Sequence, residues 1–411
     1  MTAIAQPLSG IRVLDMTTLA MGPLATQILG DYGADVIKVE PIAGDPFRAT
    51  LPTVSRGMGH TFLQLNRNKR SLAIDLKVPA ARAAFGQLIA RADVFVSNVR
   101  PAGMAGLGLD YAAVQAVNPG IIYCAAYGFS EQGPYAGRPA ADDTIQAMSG
   151  LVNLNGRATQ GTPQFAASVV ADKAVGLTLA NAIMAALIQR MRGGQGQFLE
   201  VPMFESMVAF VLPEHLAGNG YVPARGPSGY GRIVTPMRRP FATADGYLCV
   251  LPYTLAQWRA FFRLIGREDL AVDPELADPV KRNARTPELY GMIAAAMPAR
   301  TTKAWAADLL AADILFGEVL GPEELLEDPH LEVMGMFPEF DHPSEGRIRL
   351  IAPPVQSSLR AAQVRLLPPL LGQHSREVLE SVGLAAGDIA ALIAAGAIID
   401  AGDASSDTRP R

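Results

Sequence analysis

One carboxylate, Asp172, heads the long apolar run Asp172 to Ile188 (DKAVGLTLANAIMAALI). A charge at that position has two readings. As a helix cap, Asp accepts hydrogen bonds from the free N–H groups of a first turn and sits at the positive end of the helix dipole. As a catalytic group, it is kept ionised and aimed by the same surroundings, which suits a nucleophile that attacks an acyl carbon. Position alone leaves both open.

Other residues with chemistry to offer are scattered. Arg67, Lys69 and Arg70 form a cationic turn in Asn66 to Ser71 (NRNKRS), read first as solvated surface and second as a phosphate contact. The five histidines, His60, His215, His330, His342 and His374, lack the spacing of a metal cluster or a Ser-His-Asp triad. Cys124 and Cys249 lie in apolar strand-like runs without CxxC spacing, which disfavours both a disulfide and zinc. The chain contains no GxxxxGK[ST] loop, no GxSxG elbow, no HExxH and no GxGxxG after its first apolar run. Gly218 to Pro240 is rich in Gly, Pro and Arg; Arg232, Arg238 and Arg239 there could meet a carboxylate or be surface, and Gly226, Gly229 and Gly231 could be linker or a functional loop.

The elements that must position these groups alternate between two periods. Ile11–Leu14, Ala34–Glu40, Ser71–Leu76, Asp93–Asn98 and Gly120–Gly128 read as strands, and Gly22–Tyr32, Pro79–Ala92 and Asp110–Val117 as helices between them. Strand-helix alternation with short connections predicts an α/β fold, a doubly wound, Rossmann-like parallel sheet with helices on both faces. Ligands of such sheets gather beyond the carboxyl ends of the strands. After the Asp172 helix come a glycine-rich turn into a strand near Val201 and a helix to about His215. A turn at 244–246 opens a second unit with helices near 255–266, 286–298 and 302–311. Ile348–Ala352 is expected as a strand, and Ser375–Val382 and Ala386–Ala395 as closing helices. The large domain then comprises 1–200 and 340–411, with linkers at 201–225 and 326–339 and an inserted smaller α+β domain at 226–325.

Composition fits a soluble globular protein: 411 residues, 49% hydrophobic, 18% charged and a net charge of −4. The mildly acidic balance without a dense basic run argues against nucleic acid as a partner. The N-terminal residues show no targeting pattern, and the apolar segment at 174–188 contains Thr178 and Asn181 and is short for a membrane span, so a cytoplasmic protein without a membrane partner is expected.

Ordered phrases along the chain resemble the family III CoA-transferases, which include formyl-CoA transferase and crotonobetainyl-CoA:carnitine CoA-transferase. They are Pro7 to Asp15 (PLSGIRVLD), Gly22-Pro23, Gly33 to Glu40 (GADVIKVE), Gly44-Asp45 with Arg48, Asn66 to Ser71, Ile74 to Lys77 (IDLK), Asn98, Gly128-Phe129, Gln146 to Gly150 (QAMSG), the Asp172 segment, Gly194 to Gln197 (GQGQ) and Pro369 to Ser375 (PLLGQHS). From about 218 to 330 the likeness is mainly one of layout.

The resemblance implies that Asp172 is the nucleophile, that a CoA thioester is substrate rather than bound cofactor, and that no metal is needed. A small carboxylic acid would be the acceptor. It places CoA contacts at Thr18, Leu19, Ala20, Pro41, Ile74 to Lys77, Asn98, Val99, Arg100, Gly106 and Ala140. The chain departs from that pattern: Pro41, Gly106 and Ala140 stand where formyl-CoA transferase has arginine or lysine, and Ala20 where it has an active-site glutamine. Lys77, Arg100 and Arg138 are the nearby cations that could meet the CoA phosphates. The resemblance also implies a glycine-rich loop over the site at Gly226, Gly229 and Gly231, and a homodimer of interlocked rings. By analogy succinyl-CoA or another dicarboxyl-CoA is a donor. Two other readings remain: an α-methylacyl-CoA racemase-like isomerase, whose catalytic histidine falls on Ala141 here, and a CoA-binding homologue without catalysis.

Overall fold

Six parallel strands carry out the alternation read in the sequence: β1 Arg12–Met16, β2 Asp35–Glu40, β3 Lys69–Ile74, β4 Val94–Ser97, β5 Ile122–Ala125 and β6 Gln197–Glu200. They lie in the order β3-β2-β1-β4-β5-β6, and a short strand, Ile398–Ile399, pairs antiparallel with the outer edge of β3. The sheet grows one way from β1 to β3 and the other way from β4 to β6. The direction therefore reverses between β1 and β4, the kind of switch point beyond which ligands of such sheets gather.

This computed structural model describes residues 6–359 and 362–402. It divides into two units, one holding residues up to Ser149, Ala167–Phe210 and Pro329 onward, the other Gly150–Ala166 and Val211–Asp328.

The two faces of the first unit's sheet differ in chemistry. Leu14, Ile37, Val39, Leu72 and Ile74 point to one side and pack with Phe85, Leu88, Phe95, Val378 and Leu379 in an apolar core. Period-two alternation sends Asp15, Lys38, Glu40, Lys69 and Ser71 to the other side. All five are fully or almost fully buried. Lys69 Nζ lies 2.9 Å from Asp15 Oδ2, Lys38 Nζ lies 2.9 Å from Asp45 Oδ2, and Arg48 pairs with both oxygens of Glu40 at 2.7 and 2.8 Å. The solvated turn expected at 66–71 is thus corrected: Lys69 starts β3 with no exposure, and Arg67 grips both oxygens of Asp31 at 2.9 and 2.7 Å. A buried charge persists because a partner of opposite sign meets it with direct hydrogen bonds.

Two helices cover the charged face. Met21–Asp31 follows β1, and its Thr26 hydroxyl donates to Asp15 Oδ2 at 2.7 Å. The 22-residue helix Val170–Met191 crosses it at Gly176, where an added Cβ would come 2.7 Å from the Met21 carbonyl oxygen. The helix is long and apolar enough to cross a membrane by composition, but Val175, Leu179, Ile183 and Leu187 are buried within the unit. Its opposite face, including Leu177 and Ile188, is exposed.

A strand expected at Ile348–Ala352 is instead Gly346–Arg349, hairpin-paired with Glu339–His342; Leu350 has already left the ladder. The closing helices span Ser375–Glu380 and Ala386–Ala394.

The second unit is built on an antiparallel sheet of β7 Phe241–Ala242, β8 Tyr247–Leu251 and β9 Leu315–Glu318. The expected turn at 244–246 joins β7 to β8, with the Thr243 N–H donating to the Gly246 carbonyl at 2.9 Å. Thr254 and Gln257 form a reciprocal capping box that starts the Leu255–Leu264 helix. Trp258, Phe261 and Phe262 from that helix pack with Leu248, Val250, Ile293 and Trp305.

Candidate active site

Asp172 is the third residue of the Val170–Met191 helix, so it is not the cap; Val169 occupies that position. Its place in the first turn brings the positive end of the helix dipole to bear on its carboxylate. The free N–H of Asp172 is satisfied from outside the helix, by Asp142 Oδ1 at 2.9 Å. Asp142 opens the Asp142–Met148 helix, is 8% exposed, and has its other oxygen bound by the Gln146 side-chain amide. Gln146 also donates to the Ser168 carbonyl at 3.1 Å, which fixes the segment leading into Asp172. Among the described residues, none donates a hydrogen bond to the Asp172 carboxylate.

Burial, and then the neighbouring Asp142 carboxylate, push the Asp172 pKa up from 3.8 to about 6. The group is mainly ionised at neutral pH, half-buried, and more basic than an ordinary surface carboxylate. It can therefore act as a nucleophile toward an activated acyl carbon or as a general base.

The loop after β1 comes to the same corner of the unit. Asp172 lies about one helical turn, about 6 Å along the axis, before Gly176, which packs on Met21, and Met21 directly follows Thr18-Leu19-Ala20. That loop is braced by neighbours. The Thr18 N–H donates to Asn98 Oδ1 at 3.1 Å, while Asn98 Nδ2 donates to the Thr18 carbonyl at 2.9 Å. Leu19 has φ of 66°, a left-handed conformation that costs a side-chain-bearing residue energy, and its N–H is held by Asp45 Oδ1 at 3.2 Å. Its side chain stands 43% exposed. Lys38 donates to the Thr17 carbonyl at 3.1 Å and grips Asp45, so the buried charges beneath the loop set its shape.

The remaining expected CoA contacts fall at strand ends. Pro41 follows β2 and is exposed; Lys77 lies exposed just after β3. Ile74 ends β3 at 2% exposure, so its side chain belongs to the apolar core. Val99 follows β4, its N–H held by Ser97 Oγ at 3.1 Å. Arg100 is exposed and donates to the Gly137 carbonyl at 3.2 Å, tying it to the segment that carries Arg138. Arg138 lies over the rings of Phe129 and Tyr135, 5.7 and 5.3 Å from their centroids. Ala140 closes on Gly128, whose missing side chain leaves the room it fills. Gly106 ends a short helix from Pro101 with open space beside it. Hydrogen bonds thus join Thr18, Leu19 and Asn98 in one cluster and Arg100 to the Gly137–Arg138 turn; they do not draw Lys77 or Gly106 into either.

In the second unit two of the three glycines expected to form a loop are held. Gly229 has φ of 108°, its N–H donates to the His215 carbonyl at 2.8 Å, and an added Cβ would strike the Arg157 guanidinium at 2.8 Å. Gly226 presses on Gly218, while Gly231 has open space. Arg238 and Arg239 are exposed and Arg232 is half-buried.

Asp142 and Gln146 were not singled out by the sequence reading, although Gln146 stands in one of the quoted phrases. The available signal was a pair of carboxylates, Asp142-Asp143, at the start of a helix. Its relation to Asp172 lies 30 residues away along the chain. Among the described residues, no group of His, Cys, Asp or Glu is arranged to hold a metal ion.

The model of CoA-transferase family III matches residues 8–375. The chain belongs to that family. It is an enzyme of the CoA-transferase class. It is 33% identical over 381 residues to the succinyl-CoA:glutarate CoA-transferase of Mus musculus, covering 92% of this chain and 86% of that one. The formyl-CoA:oxalate CoA-transferase of Bradyrhizobium sp. is 31% identical, with 92% of this chain and 94% of that protein covered. Among solved structures, a CaiB/BaiF family protein from Brucella suis superposes with a TM-score of 0.78 at 29% identity, over 92% of this chain and all (100%) of that one. Rv3272 from Mycobacterium tuberculosis gives 0.77 at 29% identity, over 91% and 99%.

Proposed function

We propose that this family III CoA-transferase moves CoA from an acyl-CoA to a small carboxylic acid, with Asp172 as the nucleophile. The observation that carries the reading is an Asp172 carboxylate in a helix first turn, held by its own N–H to Asp142, without a hydrogen-bond donor among the described residues, and mainly ionised at neutral pH.

The chemistry proceeds in balanced steps. Asp172 Oδ attacks the thioester carbonyl, the C–S bond breaks, and an aspartyl-acyl anhydride and CoA thiolate form. The thiolate attacks the aspartyl carbonyl, releasing the first acid as carboxylate and leaving an aspartyl-CoA thioester. The acceptor carboxylate attacks that thioester, expels CoA thiolate and forms a new anhydride. The thiolate then takes the acceptor's acyl group, restoring Asp172. A carboxylate suits this role because its anhydride is as reactive as the step requires, whereas a serine ester would hold its acyl group too tightly.

The nucleotide half of CoA would bind beyond the carboxyl ends of β1 and β4, as in Rossmann-like sheets, with Thr18, Leu19, Ala20, Pro41, Asn98, Val99 and Arg100 beside it and Lys77, Arg100 and Arg138 as phosphate partners. Gly226, Gly229 and Gly231 would form the loop that shields the anhydride from water. Dicarboxylic acids are the preferred acids, by likeness to the succinyl-CoA:glutarate enzyme. The working form would be a cytoplasmic homodimer of interlocked rings, each with a large domain from both chain ends, a small inserted domain and two linkers; the exposed Leu177, Ile188 and Phe210 support a partner's cover.

The reading is tested by incubating the enzyme with succinyl-CoA and a panel of free acids in deuterated solvent. CoA should appear on the acceptor acid without deuterium entering the α-position. Exchange at the α-carbon without CoA transfer would favour the racemase-like chemistry instead, and neither reaction would leave a binding protein.

A further inference from the structure

The second unit contains a cavity of about 220 Å³ between the Tyr230–Arg232 segment, the end of β8 and the helices that follow. Its lining combines two cations, Arg232 and Arg282, with the hydroxyls of Tyr230, Tyr253 and Tyr290 and the apolar faces of Trp258 and Leu289. Arg232 lies 4.8 Å from the Tyr253 ring centroid and within reach of the Tyr290, Tyr253 and Tyr230 hydroxyls.

Among the described residues the two cations form no ion pair with a carboxylate. Other cations of this unit, Arg263, Arg267, Lys281, Arg285 and Arg300, pair with carboxylates. Among the described residues Arg232 and Arg282 do not; Arg282 donates to the Leu276 carbonyl. A guanidinium held against aromatic rings in a concave site presents a planar fork of N–H donors that fits a carboxylate with two parallel bonds. Phenol oxygens that accept from Arg232 keep their own O–H hydrogens to donate to the same anion.

Size and polarity narrow the ligand. A cavity of roughly 150 Å³ already takes benzene, so this one has room for an acid of four or five carbons. It falls below the roughly 300–1,000 Å³ of sites for drug-sized ligands. Trp258 and Leu289 would cover a hydrocarbon chain, which inorganic phosphate lacks.

We propose that this cavity is a binding site for a small aliphatic carboxylate, whose carboxylate group is gripped by Arg232 beneath the tyrosine hydroxyls. The site does not rest on the role of Asp172.

The chain has two tryptophans, and Trp258 lines the cavity, so tryptophan emission reports its occupancy. Glutarate titrated into the full-length protein should change the emission saturably, and the change should disappear in Trp258→Phe. Glutaramide, its uncharged counterpart, and inorganic phosphate at equal concentration should give no saturable change. Arg232→Gln should weaken glutarate binding by about tenfold or more, since it removes a charge-assisted contact; Arg232→Lys, which keeps the charge and loses the fork, should fall between. Exposed Arg238→Gln should bind as wild type. Asp172→Asn should also bind as wild type at this site, so loss of transfer in that variant and loss of binding here are read separately. Unchanged affinity in both Arg232 variants, an equal response to phosphate, or loss of the signal in Asp172→Asn would each overturn the proposal.

Discussion

The Asp172 N–H donates to the Asp142 carboxylate at 2.9 Å, so one acid braces the helix turn that carries another. The same contact places two negative charges close together. Asp142 therefore positions Asp172 and also raises its affinity for a proton.

The first consequence is a pH profile. In the proposed mechanism Asp172 attacks as the carboxylate, and with its pKa at about 6, CoA transfer should lose activity as pH falls through 6. Asp142→Asn removes the like charge while its amide oxygen can still accept the Asp172 N–H. Its acid limb should move to lower pH, with a reduced maximal rate from the altered contact to Gln146. Initial rates from pH 4.5 to 8.5 check both; an unshifted limb would remove Asp142 as the electrostatic neighbour that matters.

Stability should respond in the opposite sense. Asp172 binds its proton more tightly folded, with a pKa of about 6, than unfolded, near 3.8, so the wild type loses stability as pH rises between those values. At full weight the penalty is about 3 kcal/mol, and about half that once solvent screens the part-exposed group. Asp172→Asn should therefore be more stable than wild type at pH 8 and equal to it below about pH 4. Urea unfolding at the two pH values measures the difference.

Asp15 provides the contrasting case. Burial alone would raise its pKa, but Lys69, Lys38 and the hydrogen bonds from Thr17 and Thr26 together outweigh it and hold the pKa at about 2. Its stabilising contribution is present above pH 4 and is lost as pH falls toward 2. Asp15→Asn at neutral pH leaves Lys69 buried with its main partner gone and should cost about 3–5 kcal/mol. Thermal denaturation of this variant should show a large drop, and a small one would mean that the charged face is solvated in solution.

Gly176 joins the Asp172 helix to the start of the Met21–Asp31 helix. Gly176→Ala inserts a Cβ 2.7 Å from a backbone oxygen, so the helices must separate at a cost of about 1–3 kcal/mol. Since Thr18 to Ala20 precede Met21, the KM for acyl-CoA should rise more than stability alone accounts for. Steady-state kinetics well below the melting temperature check this.

Much of the sheet was legible because central parallel strands are buried on both faces and read as short apolar runs between turn residues. The Asp172 helix stood out for its length and lack of charge. The charged face was not legible, since Lys69 reads as surface until Asp15, 54 residues earlier, is placed beside it. Nor was the role of Asp142, which acts through a backbone N–H rather than through a motif. The brace from the Asn98 side chain to Thr18 was not legible either, since it depends on β1 and β4 being neighbours. Residues whose role depends on a single neighbour distant in sequence are the ones that local pattern cannot assign.

Covalent trapping tests the central claim most directly. An acyl-CoA supplied with hydroxylamine and no acceptor acid should convert the aspartyl anhydride or thioester to a hydroxamate. Peptide mass spectrometry should then find the modified carboxyl group at Asp172, with none in Asp172→Asn. A hydroxamate at another carboxylate, or unmodified Asp172 in an enzyme that still transfers CoA, would contradict the account.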